Sequence, residues 1–163
     1  MGHCISVILI KKSELRDFSI QKILENNEIK NDNFNYRLEL PCDIVAFPLQ
    51  SMTEISKILG PGVTFVSIQT DYFGGFGEQS ASINITKEKG CWNFLRKENN
   101  DNAINTILKE YGVIKDPKYF GTKDEFDTIN LGNYRDNNDM IKATDYWKEN
   151  KSSILIDMFR WYI

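Results

Sequence analysis

The sequence predicts a mixed α/β (α+β) fold: a single domain with a central, mostly antiparallel or mixed β-sheet and helices packed against it. Three observations predict it. Residues 4–10 (CISVILI) form an apolar, β-branched run without polar alternation, which suits a strand buried on both faces. Ala81, Ile83 and Ile85 alternate with Ser82, Asn84 and Thr86, the period of a strand with one wet face. Ala103, Ile104, Ile107, Leu108 and Tyr111 share one stripe of a helix, which Gly112 is placed to end.

The remaining elements follow in chain order. Ser13, Glu14 and Asp17 open a helical pattern whose apolar positions (Leu15, Phe18, Ile23, Leu24) run to about Asn27. Residues 28–35 are polar, asparagine-rich loop. Tyr36 to Leu40 and Asp43 to Phe47 read as one interrupted strand or two short ones, punctuated by Pro41 and Pro48. Residues 51–54 (SMTE) have the form of a capping box and start a short helix that Gly60, Pro61 and Gly62 end. Val63 to Gln69 is a strand, Lys89 and Gly90 mark a turn, and Cys91 to Leu95 return as another strand. Asp101 is placed to cap the helix through Tyr111. An amphipathic helix, continuous or broken near Asn150, is expected from about residue 140 to 162.

A chain of 163 residues fits one domain, spanning 1–163. The net charge of −3 provides no field for holding nucleic acid, which selects basic faces. Lys87, Lys89, Arg96 and Lys97 do surround Trp92 and Phe94, but Glu88 and Glu98 interrupt them. No nucleic-acid partner is expected. No apolar stretch approaches the ~20 residues of a membrane span, so no membrane partner is expected either. Cys4, Cys42 and Cys91 are odd in number and show no CxxC spacing, and His3 is the sole histidine. That pattern points to reduced thiols in the cytoplasm, with no metal site and no cofactor.

The stretch TDYFGGFGEQS, Thr70 to Ser80, stands apart. Gly74, Gly75 and Gly77 alternate with Tyr72, Phe73 and Phe76, flanked by Asp71 and by Glu78 and Gln79. It reads as a loop of about nine residues, 71–79, longer than the two to five that a hairpin commonly uses. Its glycines fit positive φ and its aromatics fit a lid on the core. A phosphate cradle is disfavoured: GxGxxG fails at Ser80, no P-loop lysine follows, and two carboxylates would repel an anion. Rigid aromatics on a glycine frame are good contact material for a partner, with Glu78 and Gln79 as hydrogen-bonding rim. The candidate binding residues are therefore Asp71, Tyr72, Phe73, Gly74, Gly75, Phe76, Gly77, Glu78 and Gln79. A secondary acidic cluster, Asp124, Glu125 and Asp127 with Arg135, suits oxygen ligation or acid–base work, or equally a solvated surface with capping aspartates. His3 and Cys4, adjacent on a strand, point to opposite faces and form no dyad.

Three segments together carry a resemblance: residues 62–81 (GVTFVSIQTDYFGGFGEQSA), 103–113 (AINTILKEYGV) and 124–135 (DEFDTINLGNYR). They resemble a family of small bacterial cytosolic proteins with a YFGGxGxQ loop after a strand, then a helix and a DEFDxxxLG segment. The resemblance covers roughly residues 60–136 and brings no assigned activity with it. Members look like the small proteins encoded beside secreted bacterial toxins, which protect their producer by binding the toxin. The resemblance thus implies an immunity-type protein whose partner is another protein, a toxin. Tyr134 stands where relatives often carry histidine, so chemistry that needs that histidine is not implied here. The chain lacks a usual nucleophile, base and metal set, which favours a binding protein over an enzyme. The alternative is a small hydrolase or ligand-binding enzyme with a cleft between the 71–79 loop and the 124–136 segment.

Overall fold

The structure, a computed structural model, describes residues 2–15, 37–48, 52–73, 76–114 and 124–144. Most of the helix expected from Ser13, the helix expected to Tyr162 beyond Thr144, and Ser51 with the Glu54 side chain of the capping box lie outside what is described. Six strands form one sheet in the order β2-β3-β1-β4-β5-β6. They are β1 (Ser6–Lys11), β2 (Leu38–Leu40), β3 (Ile44–Phe47), β4 (Thr64–Phe73), β5 (Phe76–Thr86) and β6 (Trp92–Glu98), and every neighbouring pair is antiparallel. The described helices are α1 (Met52–Leu59), α2 (Ala103–Tyr111), α3 (Glu125–Thr128) and α4 (Asn137–Lys142).

β1 sits between β3 and β4, which explains its unbroken apolar run. Ile5, Val7 and Leu9 face one layer with Val66, Ile68, Ala81 and Ile83, covered by Ile104, Ile107 and Leu108 of α2 and by Ile129, Leu131 and Met140. Ile8 and Ile10 face the other layer with Val45, Phe47 and Phe65, covered by Ile55 and Leu59 of α1. The period-2 alternation of β1, β3 and β4 thus feeds two cores, one on each side of the sheet. The segment read as one interrupted strand or two short ones is two strands, β2 and β3, paired as a hairpin and turned through Cys42 and Asp43, both at positive φ.

α2 ends as its sequence predicts. Gly112 adopts φ 102°, and the following Val113 N–H returns to the Leu108 carbonyl at 2.9 Å. Tyr111, in the last turn, ties three elements together: its hydroxyl accepts from the Lys11 N–H at 3.0 Å and donates to the Thr64 carbonyl at 3.4 Å. Burial pushes this phenol from 10.0 up to about 12, opposed by the Lys11 N–H and reinforced by the Glu14 charge. Between pH 10 and 12 the folded chain keeps a proton that the unfolded chain has released, so stability falls as pH rises through that window. The expected loss is on the order of 2–3 kcal/mol. Tyr111→Phe should remove most of this slope in urea titrations from pH 9 to 11.5, leaving the smaller share of Tyr134, while costing about 1–2 kcal/mol at pH 7 through the unpaired Lys11 N–H. An unchanged slope in the variant would show that other groups carry it.

Candidate functional site

The segment read as a nine-residue loop is not a loop. β4 and β5 continue as one long hairpin, paired from Thr64↔Ile85 out to Phe73↔Phe76, so only residues 74 and 75 connect them. Thr70, Tyr72, Phe73 and Phe76 are good strand formers, and a two-residue glycine link is a hairpin signal in its own right. Gly77 is required for space: a Cβ there would collide with the Asp71 carbonyl and the Tyr72 Cα of the facing strand.

The pleat separates the candidate residues into two sets. One face of the hairpin, carrying Thr70, Tyr72 and Gln79, is locked against the body of the protein. The Gln79 amide donates to the Tyr72 hydroxyl at 2.8 Å and to the Asp101 carbonyl at 2.9 Å, and its oxygen accepts from the Ile104 N–H at 3.0 Å. Gln79 therefore caps the N-terminus of α2, the role expected of Asp101. The local N-cap residue, Asn102, makes no side-chain capping bond. On the β1 side, His3 and Tyr72 exchange backbone hydrogen bonds at 2.8 Å each way. The His3 Nδ1 lies 2.7 Å from the Thr70 hydroxyl oxygen, which also accepts from the Ile5 N–H. The His3 ring meets Phe126 edge-on, with centroids 5.6 Å apart.

The opposite face is open. Phe73 and Phe76, a directly paired rung at the tip, are 81% and 84% exposed. One rung inward, Asp71 lies opposite Glu78, both exposed. Next come Gln69 and Ser80. Gln69, Asp71, Glu78 and Ser80, but not Phe73 or Phe76, border a groove of about 730 Å³ whose wall Thr70 and Gln79 also reach, with Cys4, Ser6 and Lys97 from the sheet and Asp136, Asn137 and Asn138 from the start of α4. Asn137 closes one side. Its oxygen accepts from the Ser6 N–H at 2.8 Å, and its amide donates to the Ser6 carbonyl at 3.1 Å and the Pro48 carbonyl at 2.6 Å. Sequence reasoning missed Asn137; nothing distinguishes it within an asparagine-rich stretch, because its partners lie far away along the chain.

The secondary acidic cluster divides. Asp124 is the N-cap of α3, accepting from the Asp127 N–H at 2.9 Å, and it also accepts from the Asn105 amide at 3.0 Å. Asp124 and Glu125 border a separate depression beside α2, with Arg96, Lys109 and Glu110. The backbone carbonyl of Arg135 accepts from the Cys4 N–H at 2.7 Å, and its N–H donates to Asp139 at 3.1 Å. The groove beside the hairpin thus meets the 124–136 segment only at its far end, through Asp136, and not through Asp124, Asp127 or Arg135. Tyr134 packs against the core, and burial raises its phenol above the usual range.

His3 lies behind the hairpin, on the face away from the groove that Cys4 lines. Among the described residues no group of three or more His, Cys, Asp or Glu could hold a metal ion. No described helix is long and apolar enough to cross a membrane. The arrangement is a braced two-stranded arm with exposed apolar side chains at its tip and carboxylates immediately behind. No family model matches the chain, and no curated protein or solved structure matches it either.

Proposed function

We propose that this is a protein-binding module whose contact surface is the open face of the β4–β5 hairpin, acting as an immunity-type inhibitor of a bacterial toxin. One observation carries the binding reading: Phe73 and Phe76 are exposed side by side on an arm whose other face is fixed by Gln79, Thr70 and His3. Exposed aromatics on a preorganised frame lose little entropy when a partner covers them, which is the usual make-up of an interface hot spot. The immunity role rests on the family resemblance of residues 62–81, 103–113 and 124–135. Cys4, Cys42 and Cys91 are exposed free thiols, which supports a reducing, cytoplasmic setting.

The test compares wild type with Phe73→Ala/Phe76→Ala as bait in the native host's lysate, with candidate toxins expressed. Tyr72 is left intact because its hydroxyl belongs to the structural network. A single protein is expected on the wild type, with an affinity at least ~30-fold weaker for the variant. The variant's unfolding midpoint should stay within about 0.5 kcal/mol of wild type, since both side chains are exposed. Equal retention by both baits would remove the hairpin as the contact surface. A second reading, a small-ligand site or hydrolase, draws on the groove between the hairpin and α4; specific small-molecule binding that survives the Phe73/Phe76 changes would favour it.

A further inference from the structure

The open face of the hairpin is chemically asymmetric, and the asymmetry selects a partner. Asp71 and Glu78 are directly opposed across the strands, which brings their Cβ atoms to roughly 5 Å. Like charges in such a pair destabilise a hairpin. Among the described residues neither carboxylate has an ion-pair partner. Lys97, which borders the same groove, holds its ammonium 5.1 Å from the Phe94 ring centroid instead of bridging the two. The free protein therefore holds two like charges, without an ion-pair partner among the described residues, beside Phe73 and Phe76, the most exposed large apolar side chains among those residues.

We propose that the partner segment this face receives is basic, placing an arginine side chain between Asp71 and Glu78 with its guanidinium or stem across Phe73 and Phe76. The inference rests on the binding-module reading and adds the chemistry of what is bound. Arginine fits both halves of the surface: its planar fork pairs with carboxylates, and it stacks on aromatic rings. Two other occupants are disfavoured by the same charges. A second copy docking face to face would set one Asp71–Glu78 pair against another. An anionic lipid surface would be repelled just behind the phenylalanines that would have to enter it.

The experiment uses the full chain labelled with ¹⁵N, the peptide acetyl-Arg-Leu-Arg-amide as probe and acetyl-Gln-Leu-Gln-amide as control. The arginine probe should shift the amide signals of residues 71–73 and 76–78 saturably, and the control should not. Asp71→Asn/Glu78→Gln should weaken the probe at least tenfold. The same variant should unfold at a higher urea concentration than wild type, because the repulsion is gone. Opposite signs for stability and binding separate this from a purely structural role. Probe shifts spread evenly over the acidic surface, or undiminished in the variant, would overturn the proposal. Once a native partner is isolated, its full retention by Asp71→Asn/Glu78→Gln alongside loss from Phe73→Ala/Phe76→Ala would overturn the basic-segment inference and leave the binding-module reading standing.

Discussion

Gly77→Ala is expected to destabilise the protein by about 3 kcal/mol, an unusually large effect for an exposed position. The cause is steric. Gly77 faces Tyr72 across the hairpin, and an added methyl would overlap the Asp71 carbonyl and the Tyr72 Cα. Both are backbone atoms, so no side-chain rotation relieves the overlap, and β4 must move. Movement there reaches the core, because the Tyr72 N–H and carbonyl are bonded to His3 and its hydroxyl accepts from Gln79. Urea denaturation should show the lower midpoint. Hydrogen exchange should show lost protection from Thr70 to Gln79, while Ile8, Leu9 and Val66 keep theirs until global unfolding. A variant with wild-type stability would mean that the hairpin opens at this rung at no cost, and the picture of a braced arm would fail with it.

Gln79→Met should cost about 2–4 kcal/mol. Methionine keeps the length and the apolar stem and removes both polar atoms. The Ile104 N–H, at the buried first turn of α2, loses its acceptor, and the Tyr72 hydroxyl and Asp101 carbonyl lose their donor. Asn102 cannot substitute, since it makes no capping bond of its own. Thermal unfolding with circular dichroism would report the loss. Because Gln79 stands between the hairpin and α2, the proposed binding role predicts that partner affinity falls as well, through a loosened arm and not through a lost contact. Gln79→Glu is the discriminating companion: it keeps the acceptor for Ile104 and should recover part of the stability. If Gln79→Met were neutral in stability yet lost partner binding, Gln79 would be a contact residue and its capping role incidental.

The hairpin shows where sequence reasoning stopped short. Apolar alternation is plain up to Ile68, and the polar residues Thr70 and Asp71 read as the start of a loop after Gln69. In the structure the period-2 pattern runs on: Thr70 and Tyr72 point inward, while Asp71 and Phe73 point outward. Polar residues are tolerated there because the outward face has no core to meet. A Gly74-Gly75 link with paired aromatics on either side was a legible hairpin signal that the count of nine loop residues obscured. α2 shows the converse. Its apolar stripe and Gly112 stop follow from local periodicity and local backbone freedom. Its cap did not, because the capping side chain comes from Gln79, 25 residues away in sequence.

By itself, the sequence located the strands except for the β4–β5 tip, the α2 helix and the mixed α+β class. Each of these depends on residues within a few positions of one another, through side-chain period, glycine stops and turn chemistry. The wet face expected of Ser82, Asn84 and Thr86 is buried instead. Tertiary structure alone decided which candidate residues are structural and which are free: Tyr72 and Gln79 turn inward, while Asp71, Phe73, Phe76 and Glu78 turn out. It also decided that the groove exists, through Asn137 bonding Ser6 from 131 positions away. The reason is physical. A side chain's role is set by the groups that fold against it, and those partners are brought together by sheet pairing and core burial over separations that no local pattern encodes.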